Sequence, residues 1–156
     1  MIVHCEYPTS LARALKNLKE AGILNDLNRQ LIVKNSDPEY LASRVIDLNN
    51  AELLNDKNRQ LILEHQNPGS FICALLDLKQ SDMLNDENLQ LIKRHKEPQS
   101  LVYALMELKD ADMLNETNKQ FMAMHEFPGS IISSFLESKR ARRNHENPGH
   151  GEHQFF

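Results

Sequence analysis

The segment Leu24-Asn25-Asp26-Leu27-Asn28-Arg29-Gln30-Leu31-Ile32 decides the fold, because it returns three times at an interval of 30 residues. It reappears as Leu54-Asn55-Asp56-Lys57-Asn58-Arg59-Gln60-Leu61-Ile62, then from Leu84 to Ile92, and again from Leu114 to Met122. Five of the six prolines, Pro8, Pro38, Pro68, Pro98 and Pro128, keep the same interval, and only Pro148 falls off it. Leu18, Leu48, Leu78 and Leu108 form a further column, and no insertion or deletion interrupts four units. A fixed period of this length marks a tandem array in which no copy can bury its apolar face alone.

Each unit reads as two helices. Helix A opens at the proline, which fits a first helical turn because its missing N–H has no partner there. Leu11, Ala14, Leu15 and Leu18 follow at i, i+3, i+4, i+7, one face of a helix. Asp37 and Asn67 stand before the proline as N-caps, whereas Tyr7, Glu97 and Phe127 occupy that column elsewhere. Helix A should end near Ala21, Ala51, Ser81 and Ala111. Helix B starts after an Asn N-cap, with Asp26, Asp56, Asp86 or Glu116 suited to the positive end of its dipole. It should run until just before the next proline, giving helices of about 10 to 13 residues and antiparallel neighbours. The expected fold is all-α, an α-solenoid of two-helix repeats wound as a right-handed superhelix.

The ends of the array define the expected domains. Met1-Ile2-Val3 aligns with Leu31-Ile32-Val33, so the chain opens inside a helix B, and these three residues would form a minimal cap. Ile131, Phe135 and Glu137 still follow helix A of a fifth unit, but the Leu18 column then holds Ser138 and the Leu24 column holds Asn144. Residues 1–138 therefore read as half a unit, four full units and half a unit. Residues 139–156 read as a basic collar and a flexible tail bearing His145, His150 and His153.

Composition narrows the function classes. The 156 residues include 40% hydrophobic and 26% charged side chains, as in soluble globular proteins. No apolar run approaches the roughly 20 residues of a membrane helix. Residues 1–8 lack a secretory signal pattern. Cys5 and Cys73 make no disulfide framework and are expected as buried free thiols. The net charge of -4 hides an asymmetry. Of 18 basic and 22 acidic residues, four and two lie beyond residue 138, so the array carries 14 and 20 and is acidic. The collar Lys139-Arg140-Ala141-Arg142-Arg143 suits the C-terminal end of a helix. Its other readings are nucleic-acid or membrane contact. The acidic array argues against nucleic acid.

The unit, Pro-x-x-Leu-x-x-Ala-Leu-x-x-Leu-x-x-Ala-x-x-Leu-Asn-Asp-x-Asn-x-Gln-Leu-Ile-x-x-His-x-x-Pro, resembles the helical repeats of type IV-secreted effector proteins of intracellular gammaproteobacteria. The resemblance covers residues 1 to about 138 and includes polar columns: Asn25, Asn28, Gln30 and the His65-x-x-Pro68 spacing. It implies an all-α scaffold made in a bacterial cytoplasm, delivered into a host cell, and binding a host protein there. It implies no reaction. In that family a polar C-terminal tail with terminal hydrophobics serves as secretion signal, and Glu152, Phe155 and Phe156 are compatible with that role.

Fixed columns should build the stack and changing columns should decorate it. Asn28 lies on the apolar stripe with Leu31 and Ile32, so Asn28, Asn58, Asn88 and Asn118 should form a structural ladder bonded to their own inter-helix loop or to the next unit. His65, His95 and His125 should sit in the last turn of helix B, where a cation or a donor to its free carbonyls is favoured. Equivalent positions in stacked units lie roughly 10 Å apart, too far to share a zinc ion, so no metal or cofactor is expected. Asp47, Asp77 and Glu107 should form a solvated acidic row. No nucleophile triad, phosphate loop or HExxH motif appears, and an enzyme is not expected. Candidate partner-binding residues come from the columns that change: Arg13 and Tyr103 in one, Ile46, Leu76 and Met106 in a second, Arg29, Arg59, Leu89 and Lys119 in a third. Protein binding by rigid display is the leading function. The alternative is self-association of the open ends into dimers or longer stacks.

Overall fold

The computed structural model describes residues 8–33 and 35–146. Met1, Ile2 and Val3, the Cys5 thiol, and the tail with His150, His153, Glu152, Phe155 and Phe156 lie outside them, as does the side chain of His145. Among the described residues all regular structure is helical: α1 Pro8–Glu20, α2 Asp26–Val33, α3 Pro38–Asn50, α4 Asp56–Glu64, α5 Pro68–Gln80, α6 Asp86–Arg94, α7 Pro98–Asp110, α8 Glu116–Ala123 and α9 Pro128–Glu146. Long A helices alternate with short B helices, as the period requires. By internal contact the chain divides into the described parts of Met1–Gln99 and Ser100–Phe156.

Within the first unit, neighbouring helices pack as in a helical repeat. The A helices lie side by side, α1 on α3 and α3 on α5, while each B helix meets the A helix that follows, α2 on α3 and α4 on α5. α4 also packs against α2. The core is the set of columns that repeat: Leu18, Leu48 and Leu78 are fully buried, together with Leu41, Val45, Phe71 and Leu75 from A helices and Ile32, Ile62 and Ile92 from B helices. In the second unit Leu101, Leu105, Leu108 and Met122 are fully buried, and Ile132 and Leu136 nearly so. Truncating any of these leucines to alanine would cost about 2–5 kcal/mol.

Helix A stops by the same device four times. In the first repeat the Gly22 N–H donates to Lys19 O and the Ile23 N–H donates to Leu18 O, each at 3.0 Å. These two bonds, with a left-handed residue between, make a Schellman motif. The left-handed position is Gly22 at φ 76°, then Glu52 at 61°, Asp82 at 59° and Asp112 at 58°. The motif needs an apolar residue after it to fold back on the helix, and Ile23, Leu53, Met83 and Met113 supply one. In the fifth repeat the same columns hold Ser138, Arg142 and Arg143 in place of Leu18, Gly22 and Ile23. The stop is absent, and α9 runs 19 residues where α1, α3, α5 and α7 run 13 each. The basic collar is therefore helical, continuous with the last A helix.

Two boundaries differ from expectation. Helix B is shorter, with α2 and α8 at eight residues and α4 and α6 at nine. His65 and His95 are its C-caps, with extended backbone, and do not belong to its last turn. The N-caps of the A helices are also more varied. Asp37 accepts from the Tyr40 N–H at 3.2 Å, but Asn67 makes no side-chain cap bond. Instead, serines one repeat earlier cap later A helices. Ser70 Oγ accepts from the Gln99 N–H at 3.1 Å, and Ser100 Oγ accepts from the Gly129 N–H at 2.8 Å.

The left-handed residues yield a test. A side chain at positive φ costs about 1–2 kcal/mol, partly offset by the extra backbone freedom that glycine has in the unfolded chain. Glu52→Gly should raise unfolding free energy by up to about 1 kcal/mol, and Gly22→Ala should lower it by a similar amount. Urea denaturation followed by circular dichroism checks both.

Candidate functional site

The turn between helices A and B is held by two asparagines. Asn25 Oδ1 accepts from the Asn28 N–H at 2.8 Å, capping helix B. Asn28 Nδ2 then reaches back to Ile23 O at 2.7 Å, just past the end of helix A. The same pair of bonds recurs at Asn55/Asn58, Asn85/Asn88 and Asn115/Asn118, with Leu53, Met83 and Met113 as the carbonyl acceptors. All four ladder asparagines are buried. Each ties its own loop, one of the two arrangements the stripe allowed.

A second layer links successive repeats. Arg59 Nε donates to Asn28 Oδ1 at 2.8 Å, 31 residues back, while its Nη1 donates to Asp56 at 2.8 Å. The Asn67 N–H donates to His65 Nδ1 at 2.9 Å. That bond leaves the His65 proton on Nε2, which donates to His95 O, 30 residues on, at 2.9 Å. The ring also stacks on Phe71, with centroids 5.1 Å apart. His95 Nδ1 accepts from the Glu97 N–H in the same way. His125 departs from the pattern, its Nδ1 pairing with Phe121 O four residues back. Each ring is thus engaged by backbone groups, and no cluster of His, Cys, Asp or Glu suited to a metal ion occurs among the described residues. Cys73 is a buried free thiol whose Sγ lies 3.3 Å from the Tyr40 hydroxyl. That contact, with burial, raises the Tyr40 pKa above the ordinary phenol value.

The candidate partner-binding residues fall into three groups. Arg13, Arg29 and Tyr103 are exposed. Ile46, Leu76 and Met106 are half-buried. The third column turns inward along the chain: Arg59 is half-buried, and Leu89 and Lys119 are buried at 7% exposure. Its position beside the ladder asparagines explains this, since Arg59 there reaches the preceding helix B. The alternation of charged and apolar residues in that column resembled surface variation, yet Leu89 and Lys119 are buried and Arg59 reaches the Asn28 side chain. Val33 and Leu63, also from a changing column, are exposed on helix B.

The acidic row is not uniformly solvated. Asp47 pairs with Arg44 at 2.6 Å. At Asp77 the residue three positions earlier is Ala74, and burial pushes the carboxyl above its usual range.

The second unit holds an open apolar cleft of about 540 Å³ between α8 and α9, floored by Phe121, Ile131 and Phe135 and bordered by His125, Lys139 and Arg142. Asn118, Ser134 and Ser138 complete its wall. Phe121 and Phe135 stack at 5.1 Å between centroids, and Lys139 Nζ sits 5.3 Å over the Phe135 ring. Of these, Lys139, Arg142 and Asn118 were candidate site residues from sequence, for other reasons, and His125, Ile131, Phe135 and Ser138 were read there only as repeat positions. The signal for the cleft was present in the columns: Ala104 and Leu108, fully buried, become exposed Ser134 and Ser138 one repeat on.

Compared with known protein families, curated proteins and solved structures, the chain finds no match. No helix among the described residues is long and apolar enough to cross a membrane.

Two measurements test this geometry. A double-mutant cycle of Asn28→Ala and Arg59→Ala, read by urea denaturation, should show a coupling of about 0.5–3 kcal/mol, because the residues share a bond. Asp77 should work against the fold at neutral pH. Its folded pKa lies above the unfolded one, so wild-type stability falls as pH rises through that interval. Asp77→Asn should therefore raise the melting temperature at pH 7 and lose this advantage below the ordinary aspartate range.

Proposed function

We propose that the chain is a non-enzymatic α-solenoid, wound as a right-handed superhelix, that binds a protein partner by rigid display of residues that change from repeat to repeat. One observation carries the reading. Two constant columns are spent inside the repeats, Leu18, Leu48, Leu78 and Leu108 in the core and Asn28, Asn58, Asn88 and Asn118 in the turns, while the constant Gln30, Gln60, Gln90 and Gln120 column stays exposed. Other exposed side chains differ between repeats, with Arg13 and Tyr103 in one column and Val33 and Leu63 in another. A scaffold with constant interior and variable exterior is how repeat proteins build binding surfaces. Tyr and Arg are also the residues most often found at interface hot spots.

The partner is a host protein, and the chain acts as a type IV-secreted bacterial effector, made in the bacterial cytoplasm and acting in the host cell. The likeness of the repeat, with its Asn25, Asn28, Gln30 and His65-x-x-Pro68 columns, supports this. Arg13→Glu and Tyr103→Ala, separately, should each reduce capture of the partner from host-cell lysate at least fivefold, with the helical circular dichroism spectrum unchanged. Equal capture by wild type and both variants would overturn the display of these residues as the binding mechanism.

A further inference from the structure

The cleft between α8 and α9 has the form of a helix-docking site. In the first unit, the B helix α2 and the A helix α3 are followed by α4, which packs on α2. There the A-helix columns facing the stack, Leu41, Val45 and Leu48, are fully buried. The pair α8 and α9 stands at the same stage of the repeat. At that stage the chain does not turn back, because α9 lacks the Schellman residues and continues to Glu146. The corresponding columns stay open: Phe121 is 40% exposed, Ser134 and Ser138 are exposed, and Ile131 and Phe135 are half-buried. In the first unit this position is filled by α4, a nine-residue helix packed on α2, and beside it by α5, packed on α3; of the two, α4 is the short helix that faces the equivalent of α8.

The border of the cleft differs from the earlier repeats in charge. Arg142 stands in the column of Gly22, Glu52, Asp82 and Asp112, and Lys139 lies beside it over Phe135. An apolar floor with a basic edge suits an amphipathic helix that carries acidic side chains along one margin. A second copy of this chain is a poorer occupant. Its first repeat, residues 8–37, holds Arg13, Lys16, Lys19, Arg29 and Lys34 against Glu20, Asp26 and Asp37, and so meets the basic edge with like charge.

We infer that the α8–α9 cleft receives an acidic amphipathic helix of a partner protein, which takes the place of a fifth helix B. The inference rests on the protein-binding reading and names one surface and one class of ligand for it. Asn118 lines the cleft where Asn28 accepts from Arg59, so a donor one position along the docked helix from its Asn-equivalent would extend the ladder.

The probe is a fluorescein-labelled, side-chain-stapled peptide of residues 54–65 carrying Lys57→Glu, which keeps the helix B pattern and makes it acidic. Stapling is needed because helices this short are marginal in water. Its counterpart keeps Lys57 and carries Asp56→Lys and Glu64→Lys. With the full chain, fluorescence anisotropy should show saturable binding of the acidic peptide. The variant Lys139→Glu/Arg142→Glu should bind it at least tenfold more weakly and should prefer the basic peptide. Lys79→Glu/Arg140→Glu, with the same change in net charge outside the cleft lining, should bind the acidic peptide within twofold of wild type. No saturable binding, or equal loss in both double variants, would overturn the proposal. So would concentration-dependent self-association that Lys139→Glu/Arg142→Glu abolishes, since it would make a second copy the occupant. The broader reading would survive any of these results if capture from lysate still depended on Arg13 and Tyr103.

Discussion

The asparagine pair at the turn between helices A and B is the constraint on which the rest of the structure depends. A helix that ends leaves carbonyls without partners, and a helix that begins leaves N–H groups without partners. In each repeat the two problems sit within a few residues of each other. Asn25 meets the second, the N–H groups of Gly22 and Ile23 meet the first, and Asn28 pairs the carbonyl of Ile23 between them; the asparagine bonds recur 30, 60 and 90 residues on. Because Asn28 is itself fixed in the first turn of helix B, its bond to Ile23 O sets the direction in which helix B leaves helix A. Where the bond is buried, at the carbonyls of Leu53 and Met83, leaving the acceptor unpaired would cost about 1–3 kcal/mol, so the geometry is strongly held.

Between repeats the constraints are fewer and differ in kind. Apolar contact among leucines is non-directional and would tolerate sliding. The polar links are directional and specify the partner residue: Arg59 to Asn28, His65 to the carbonyl of His95, Ser70 to the N–H of Gln99. They place repeats in register, while the leucines supply the driving force. The tyrosine at position 40 shows the tolerance of the scheme. It replaces the serine found in the same column at Ser70 and Ser100, lies against Gly69, and directs its hydroxyl to Cys73.

Most of the fold was legible because it is written in period. Prolines marked helix starts, the Leu18 column marked the core, and the break at Ser138 and Asn144 announced the change in the fifth repeat. The ladder asparagines were legible from their place on an apolar stripe. Less visible was anything that depends on geometry between repeats. Arg59, Leu89 and Lys119 share a column and vary in chemistry, which on its face suggests a solvent surface, yet Leu89 and Lys119 are buried and Arg59 bonds Asn28 on the preceding helix B. Cross-repeat capping by Ser70 and Ser100 was equally hidden, since a cap is normally sought immediately before its helix and not 29 residues upstream. The cleft escaped notice because its residues are ordinary members of core columns, and only the end of the pattern uncovers them.

The Schellman turns and asparagine clamps have one more consequence, for how such a chain can change over generations. Every bond in them joins residues no more than five positions apart. A unit therefore carries its own bend with it and borrows little from its neighbours to form it. Duplication or loss of a 30-residue block by unequal recombination would leave each remaining bend intact, and would simply lengthen or shorten the array. The long-range links would be kept only where the arriving column holds a residue able to make them, as Arg59 does and Leu89 cannot. The tally of repeats is thus a freely adjustable property of the lineage, whereas the spacing within a repeat is not.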